Sequence, residues 1–177
     1  MTYNEQIILS SDRLLFRQHI MADKDAYCAM EMDADVRRYV GGQPRTREEA
    51  ERRFMPSLEP VTDRLSMWAT VLKETGQYIG RCGVYPHFNH DGVPIAGEGT
   101  LAFYIASAYW RQGFATEAGR AFIQFGLNEL HLKRIVAGVQ AGNDVSVHVI
   151  KKLGFELVST EEGHRTFYHF ELKNPVT

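Results

Sequence analysis

The segment Tyr109-Trp110-Arg111-Gln112-Gly113-Phe114-Ala115-Thr116-Glu117-Ala118 constrains this chain more than any other. It follows a strand-like run, Leu101 to Ile105, and opens a helix-like run, Ala115 to Leu130. Glycine at such a junction lets the backbone approach a ligand closely. The first turn of the helix behind it offers N–H groups that have no partner inside the helix, and these attract anions. The segment therefore reads as a phosphate cradle between a strand and a helix, which requires a fold that sets the end of one against the start of the other.

Composition narrows the setting. The 177 residues suit one domain, expected over residues 8–173. With 20 basic against 22 acidic residues and no long basic block, the chain lacks the footprint of a direct nucleic-acid binder. Its apolar runs fall short of the roughly 18–20 residues that span a bilayer, so no membrane partner is expected. Met1 to Glu5 carries no basic patch ahead of an apolar core, and the expected location is cytoplasmic. Cys28 and Cys82 lie in no metal-like pattern. No metal is expected. A single disulfide is open as an alternative to the expected buried free thiols.

Hydrophobic period and turn residues lay out the elements. Arg13 to Arg17 reads as a strand, Asp23 to Met32 as a helix, and Asp33 to Tyr39 as a second short helix closed by Gly41-Gly42-Gln43-Pro44. Thr46 with Glu49 three residues on forms a capping-box signature for a further helix that should fade before Pro56. Strands are expected at Ser66 to Leu72, Tyr78 to Tyr85 and Gly99 to Ile105. The stretch His87 to Gly97, with Asn89, Asp91-Gly92, Pro94 and Gly97, reads as a loop. Ala115 to Leu130 is expected to be one long helix, with Ala118, Phe122, Ile123 and Phe125 turned inward. A strand at Arg134 to Val139 follows. Asn143 should cap a helix that runs to Leu153 and ends at Gly154. Phe155 to Ser159 and Thr166 to Leu172 close the chain as strands. The alternation predicts a mixed α/β sheet.

No Gly-x-x-x-x-Gly-Lys-Ser/Thr pattern is present, so the cradle is not a P-loop, and no Gly-x-Gly-x-x-Gly marks a dinucleotide site. Trp110-Arg111-Gln112-Gly113-Phe114-Ala115-Thr116-Glu117-Ala118 instead resembles the acetyl-CoA pyrophosphate loop of the GCN5-related N-acetyltransferases (GNAT). Asn143-x-x-Ser146 followed by Lys152-Leu153-Gly154-Phe155 resembles the second half of the same signature. Arg13-Leu14-x-Phe16-Arg17 is similar to the opening strand of the branch that acetylates N-terminal amines of ribosomal proteins.

The resemblance implies a single α/β domain. Its central mixed, mostly antiparallel sheet has about seven strands, splayed between the fourth and fifth and flanked by helices. It implies acetyl-CoA as cosubstrate: the pantetheine arm along Ile105, Ala106 and Ser107, the pyrophosphate on the amides of Arg111, Gln112, Gly113, Phe114, Ala115 and Thr116, and further contacts from Asn143 and Ser146. The activity implied is acetyl transfer to a primary amine, on a peptide or protein N-terminus or a small molecule, by direct attack in a ternary complex. An N–H near Ile105 would polarise the thioester carbonyl.

The glutamate that often serves as base in this branch falls on Thr100, which cannot serve. Glu98, two residues earlier on the same strand face, is the expected base, acting through a water; His87 and His90 stand second. Ser146 is the expected hydrogen-bond partner of the departing sulfur. Asp33, Tyr39 and Tyr104 are the expected acceptor contacts, in a pocket bounded by Asp33 to Tyr39, His87 to Gly97 and Thr160 to Arg165. Trp110 suits the channel wall or simple packing, and Arg120 or Lys151 suits the coenzyme's 3′-phosphate or plain surface. Two other readings stay open: a non-catalytic acyl-CoA-binding sensor, and an interaction protein on the same fold. A homodimer is also left open.

Overall fold

The structure is a computed structural model, and it describes residues 7–61 and 64–175. Eight strands form one sheet in the order β1-β2-β3-β4-β5-β6-β8-β7. They are β1 (Ile7–Ser10), β2 (Leu14–Arg17), β3 (Ser66–Leu72), β4 (Tyr78–Phe88), β5 (Pro94–Ile105), β6 (Arg134–Gln140), β7 (Glu156–Glu161) and β8 (Phe167–Lys173). Neighbours run antiparallel except β5 and β6, which are parallel. The helices are α1 (Lys24–Met32), α2 (Ala34–Arg37), α3 (Arg47–Phe54), α4 (Phe114–Gln124) and α5 (Asp144–Lys152). The mixed single-sheet α/β expectation holds. The additional strand is β1, four half-exposed residues with too weak an apolar alternation to stand out. The expected splay between the fourth and fifth strands therefore falls between β5 and β6.

That splay follows from the pairing. β5 and β6 are in register only at Glu98–Arg134, Gly99–Ile135 and Thr100–Val136, yet β5 runs on to Ile105 and β6 to Gln140. Beyond Thr100, β5 stays paired to β4 while β6 stays paired to β8. The sheet opens into a V.

Helix α4 covers one face. Ala118 and Phe122 are fully buried there, and the Phe122 ring meets Phe16 edge-on at 4.7 Å. On the other face α1 and α3 enclose a smaller core of Tyr27, Cys28, Phe54, Ala69 and Tyr78. The capping box at Thr46 is present in both directions. Both cysteines are free and buried, and burial pushes the Cys82 thiol up to about 12.

Two expectations need correction. The His87 to Gly97 stretch is mostly strand: β4 runs to Phe88, β5 begins at Pro94, and only residues 89–93 turn. Asn89 makes the turn compact by accepting the N–H of Asp91 and of Val93 on its Oδ1. The Ala115 to Leu130 helix is also not uniform. It widens into a π-helical turn at Phe125–Glu129, with the Leu130 N–H reaching back to the Phe125 carbonyl. Gly126 is buried in that turn, where a Cβ would stand 3.1 Å from Ile135 and 3.2 Å from Leu132, so close packing on β6 favours the wider turn.

His19, between β2 and α1, is 4% exposed, packs against Tyr27, Phe54 and Tyr78, and has no hydrogen-bond partner at Nε2. Burial lowers its pKa to about 4; Asp23 opposes the shift, while Arg81 and Arg17 add to it. The unfolded chain therefore binds this proton below pH 6.5 and the folded chain only near pH 4. Stability should be constant above pH 6.5 for this group and fall by about 3 kcal/mol as the pH drops through 6.5 to 4. Urea unfolding at pH 7.5, 6.0 and 4.5 checks this. A flat profile between pH 7.5 and about 5.5, above the carboxylate range, contradicts it.

Candidate active site

The opening of the V is lined by backbone as much as by side chains. The Ala106 N–H donates to the Ile79 carbonyl at 2.9 Å, which makes Ala106 and Ile79 a hydrogen-bonded couple. Alternation along an antiparallel ladder then makes Ile105, opposite Gly80, a non-bonded position. Its N–H and carbonyl point away from β4, toward the gap. The carbonyl accepts the Trp110 indole N–H at 2.7 Å, so Trp110 pins the loop to the strand end.

The start of α4 lies just beyond. Gly113 has φ of +82° and Arg111 has φ of +61°, both left-handed, so the chain reverses tightly into the helix. Helices α2, α3 and α5 carry side-chain caps from Asp33, Thr46 and Asn143; α1 has none but continues a short 3-10 turn at Met21–Asp23, whereas α4 has none and starts directly from a left-handed glycine. The earliest intrahelical bond is from the Glu117 N–H to the Gly113 carbonyl. The amides of Phe114, Ala115 and Thr116 thus have no acceptor in the helix, and they sit at the positive end of its dipole.

This loop is braced from a distant part of the chain. Glu117 accepts the Ser11 hydroxyl at 2.7 Å, the Arg13 N–H at 2.8 Å and Arg13 Nε at 2.7 Å. Burial opposes ionisation of Glu117, but these bonds hold its carboxyl below the usual range. Arg13 also donates to the Gln112 carbonyl at 3.1 Å and lies 4.3 Å over the Phe114 ring. Arg13 and Glu117 lie in motifs that the sequence shows, but their contact, and Ser11's part in it, escaped the sequence reading, because a contact across about a hundred residues leaves no local pattern. Arg13→Ala should weaken the binding of a diphosphate group at this loop roughly tenfold, through loss of charge-assisted bonds that shape it. Calorimetry of both forms with a nucleoside diphosphate would test it, and equal affinity would refute it.

Where β5 and β6 part, a cavity of about 730 Å³ opens, and its wall includes Tyr39, Thr100, Tyr104, Gln140, Asn143 and Ser146. Asn143 Oδ1 accepts the Ser146 N–H at 3.2 Å, the expected cap, and Ser146 is half-buried. Tyr39 packs on Gly142, where a Cβ would lie 3.6 Å from its ring. Asp33 is off the wall. Its Oδ2 accepts the Ser107 hydroxyl at 2.5 Å and its Oδ1 the Asp35 N–H, and the Ser107 bond does most to hold its pKa down. Asp33 and Ser107 thus meet each other and tie α2 to the end of β5.

At the closed end of the V, Glu98 Oε2 lies 2.7 Å from Arg134, which also reaches Glu171 at 3.1 Å. Glu98 stands behind the wall. His87, which is on the wall, has Nε2 at 4.0 Å from Glu98 Oε2 and Nδ1 at 3.2 Å from the Thr100 hydroxyl. His90 is exposed in the hairpin turn, and His148 is exposed on α5. A second, larger groove of about 910 Å³ runs along the outer face of α4, with Thr116, Arg120, Gln124 and Lys152 on its lining. It is not between the splayed strands.

A parallel strand pair that splays over a cavity, beside a tight glycine turn and an uncapped helix start, makes an α/β sheet with an anion-accepting helix end next to a cleft. Residues 13–156 match the family described as the acetyltransferase (GNAT) domain, and the chain belongs to that family. The chain is 30% identical over 153 residues to the uncharacterized N-acetyltransferase p20 of Bacillus licheniformis, covering 84% of this chain and 82% of that protein. A GNAT-family acetyltransferase from Bacillus anthracis superposes with a TM-score of 0.80 at 20% identity, covering 94% of this chain and 98% of that one. The spermidine N-acetyltransferase of Vibrio cholerae, solved with CoA and spermine, gives 0.73 at 15% identity, with 92% and 96% covered. At these identities the two structures speak for the fold.

Proposed function

We propose that this protein transfers an acetyl group from acetyl-CoA to a primary amine by direct attack within a ternary complex. The observation that carries this reading is the uncapped start of α4, just past the end of β5, where three amides have no acceptor within the helix. The diphosphate of the coenzyme would rest on the amides from Arg111 to Thr116, and its pantetheine arm would lie along Ile105 to Ser107. The Phe103 N–H, opposite Cys82 at the next non-bonded position along β5 and so also turned into the gap, would polarise the thioester carbonyl, and placing both reactants in one cavity supplies much of the acceleration. Ser146 would donate a hydrogen bond to the departing sulfur.

In this proposal the amine's proton passes through a water to His87. Glu98, expected as the base itself, acts one step back: held by Arg134, it stabilises the imidazolium that His87 becomes. The likeness of the opening strand to the ribosomal-protein branch supports the architecture rather than an acceptor. Arg13 braces the coenzyme loop, and Arg17 is buried in an ion pair with Asp23 at 2.7 Å. The test is thiol release from acetyl-CoA with a panel of primary amines, alongside calorimetry with acetyl-CoA. Amine-dependent release is the expected result. Binding without turnover would favour a sensor, and no binding would end both readings.

A further inference from the structure

Glu31, on α1, is 2% exposed and holds three arginines: Arg81 at 2.5 Å, Arg45 at 2.8 Å and Arg37 at 3.3 Å. It is the one carboxylate that contacts them among the described residues. One negative charge against three positive leaves an excess that burial makes costly. Arg81 Nε is itself buried without a hydrogen-bond partner. The cluster stands directly behind the cavity wall. Arg81 lies 4.9 Å over the Tyr104 ring, and Arg37 presses on Gly41, where a Cβ would come within 2.2 Å of its guanidinium. Tyr104 and Gly41 both face the cavity.

A fourth arginine stands at the mouth. Arg165, exposed on the β7–β8 turn, lies across Gly42 and makes one long bond, at 3.5 Å, to Oε1 of the wall residue Gln140. A guanidinium has five N–H donors in a fork that matches a carboxylate, and no carboxylate meets Arg165 among the described residues. The acids are otherwise engaged: Glu171, on the cavity wall, by Arg134 at 3.1 Å and Lys173 at 3.0 Å, Asp33 by Ser107, Asp35 by Arg38 at 2.6 Å, Glu161 by His169 at 2.9 Å. Glu162 remains, exposed on the turn. Between the cluster and the mouth the wall is largely apolar, with Tyr85, Phe88, Phe103 and Phe167.

We propose that the acceptor is a small amine that carries its own carboxylate and an apolar body, an amino-acid-like molecule. Its carboxylate takes the Arg165 fork, its body lies on the aromatic wall, and its amine meets the thioester. The excess positive charge behind Tyr104 and Gly41 disfavours polycationic amines. This rests on the acetyl-transfer reading of the same cavity.

The experiment compares phenylalanine, phenylalanine amide, phenethylamine and spermidine as acceptors at low ionic strength, with acetyl-CoA binding measured in parallel. Phenylalanine should exceed its amide and phenethylamine in kcat/KM by about tenfold or more, the worth of a charge-assisted pair. Spermidine should be the poorest. In Arg165→Gln, a surface change that leaves the core intact, the ratio of phenylalanine to its amide should fall toward one. Equal or better use of the amide, phenethylamine or spermidine overturns the proposal while sparing acetyl transfer. So does acetyl-CoA binding with no turnover of phenylalanine, or an unchanged ratio in Arg165→Gln. Absence of acetyl-CoA binding defeats the underlying reading instead.

Discussion

Gly113→Asp should weaken acetyl-CoA binding by about a hundredfold or more while the fold survives. Gly113 occupies a left-handed conformation at the start of α4, and a Cβ there would make only an ordinary 3.5 Å contact with Arg13. Aspartate tolerates that conformation better than most residues, so the structural cost should be about 1 kcal/mol or less. What changes is charge. A carboxylate placed on the free amides would occupy the positive helix end that the diphosphate needs, and would repel it. Losing two charge-assisted bonds alone is about 3 kcal/mol or more, hence the hundredfold. Calorimetry with acetyl-CoA on the variant, with circular dichroism to verify folding, decides the matter. Undiminished affinity would remove the amide cradle from the mechanism.

The second large effect concerns the proton. His87→Gln should lower kcat by about a hundredfold with little change in acetyl-CoA affinity, since positioned general bases contribute roughly 10²–10⁴. Glu98→Gln should cost about tenfold, because it removes only the charge that steadies the imidazolium 4.0 Å away. The acid limb of the kcat/KM profile should vanish in the His87 variant and persist in the Glu98 variant. If Glu98→Gln proves the more damaging change and abolishes the acid limb, the carboxylate is the base.

How much of this was legible in the chain varies with range. The strand, turn and helix around Gly113 and the Asn143 cap were readable because each is local: a glycine, an N-cap side chain and a 3.6-residue period act within one or two turns. The Thr46 capping box was readable for the same reason. The hairpin at Phe88 to Pro94 was not, since turn-forming residues extend past the five that turn, and only pairing with β4 extends the strands. The π-helical widening at Phe125 was hidden because it answers close packing of Gly126 on β6. At the site, Glu98 and Thr100 were correctly placed on one strand face. That Arg134 would hold Glu98 behind His87 depended on the β5–β6 register, which no local pattern encodes. The Glu31 cluster gathers residues from α1, α2, β4 and the α2–α3 connection, so it too emerges only in three dimensions.

The contact from Ser11 and Arg13 to Glu117 makes the first hairpin a silent partner of the coenzyme grip. Occupancy at α4 should therefore slow amide hydrogen exchange in β1 and β2, elements that touch no part of the cavity. Conversely, a fusion tag or truncation that disturbs residues 11–13 would surface as poor coenzyme affinity in an otherwise sound enzyme.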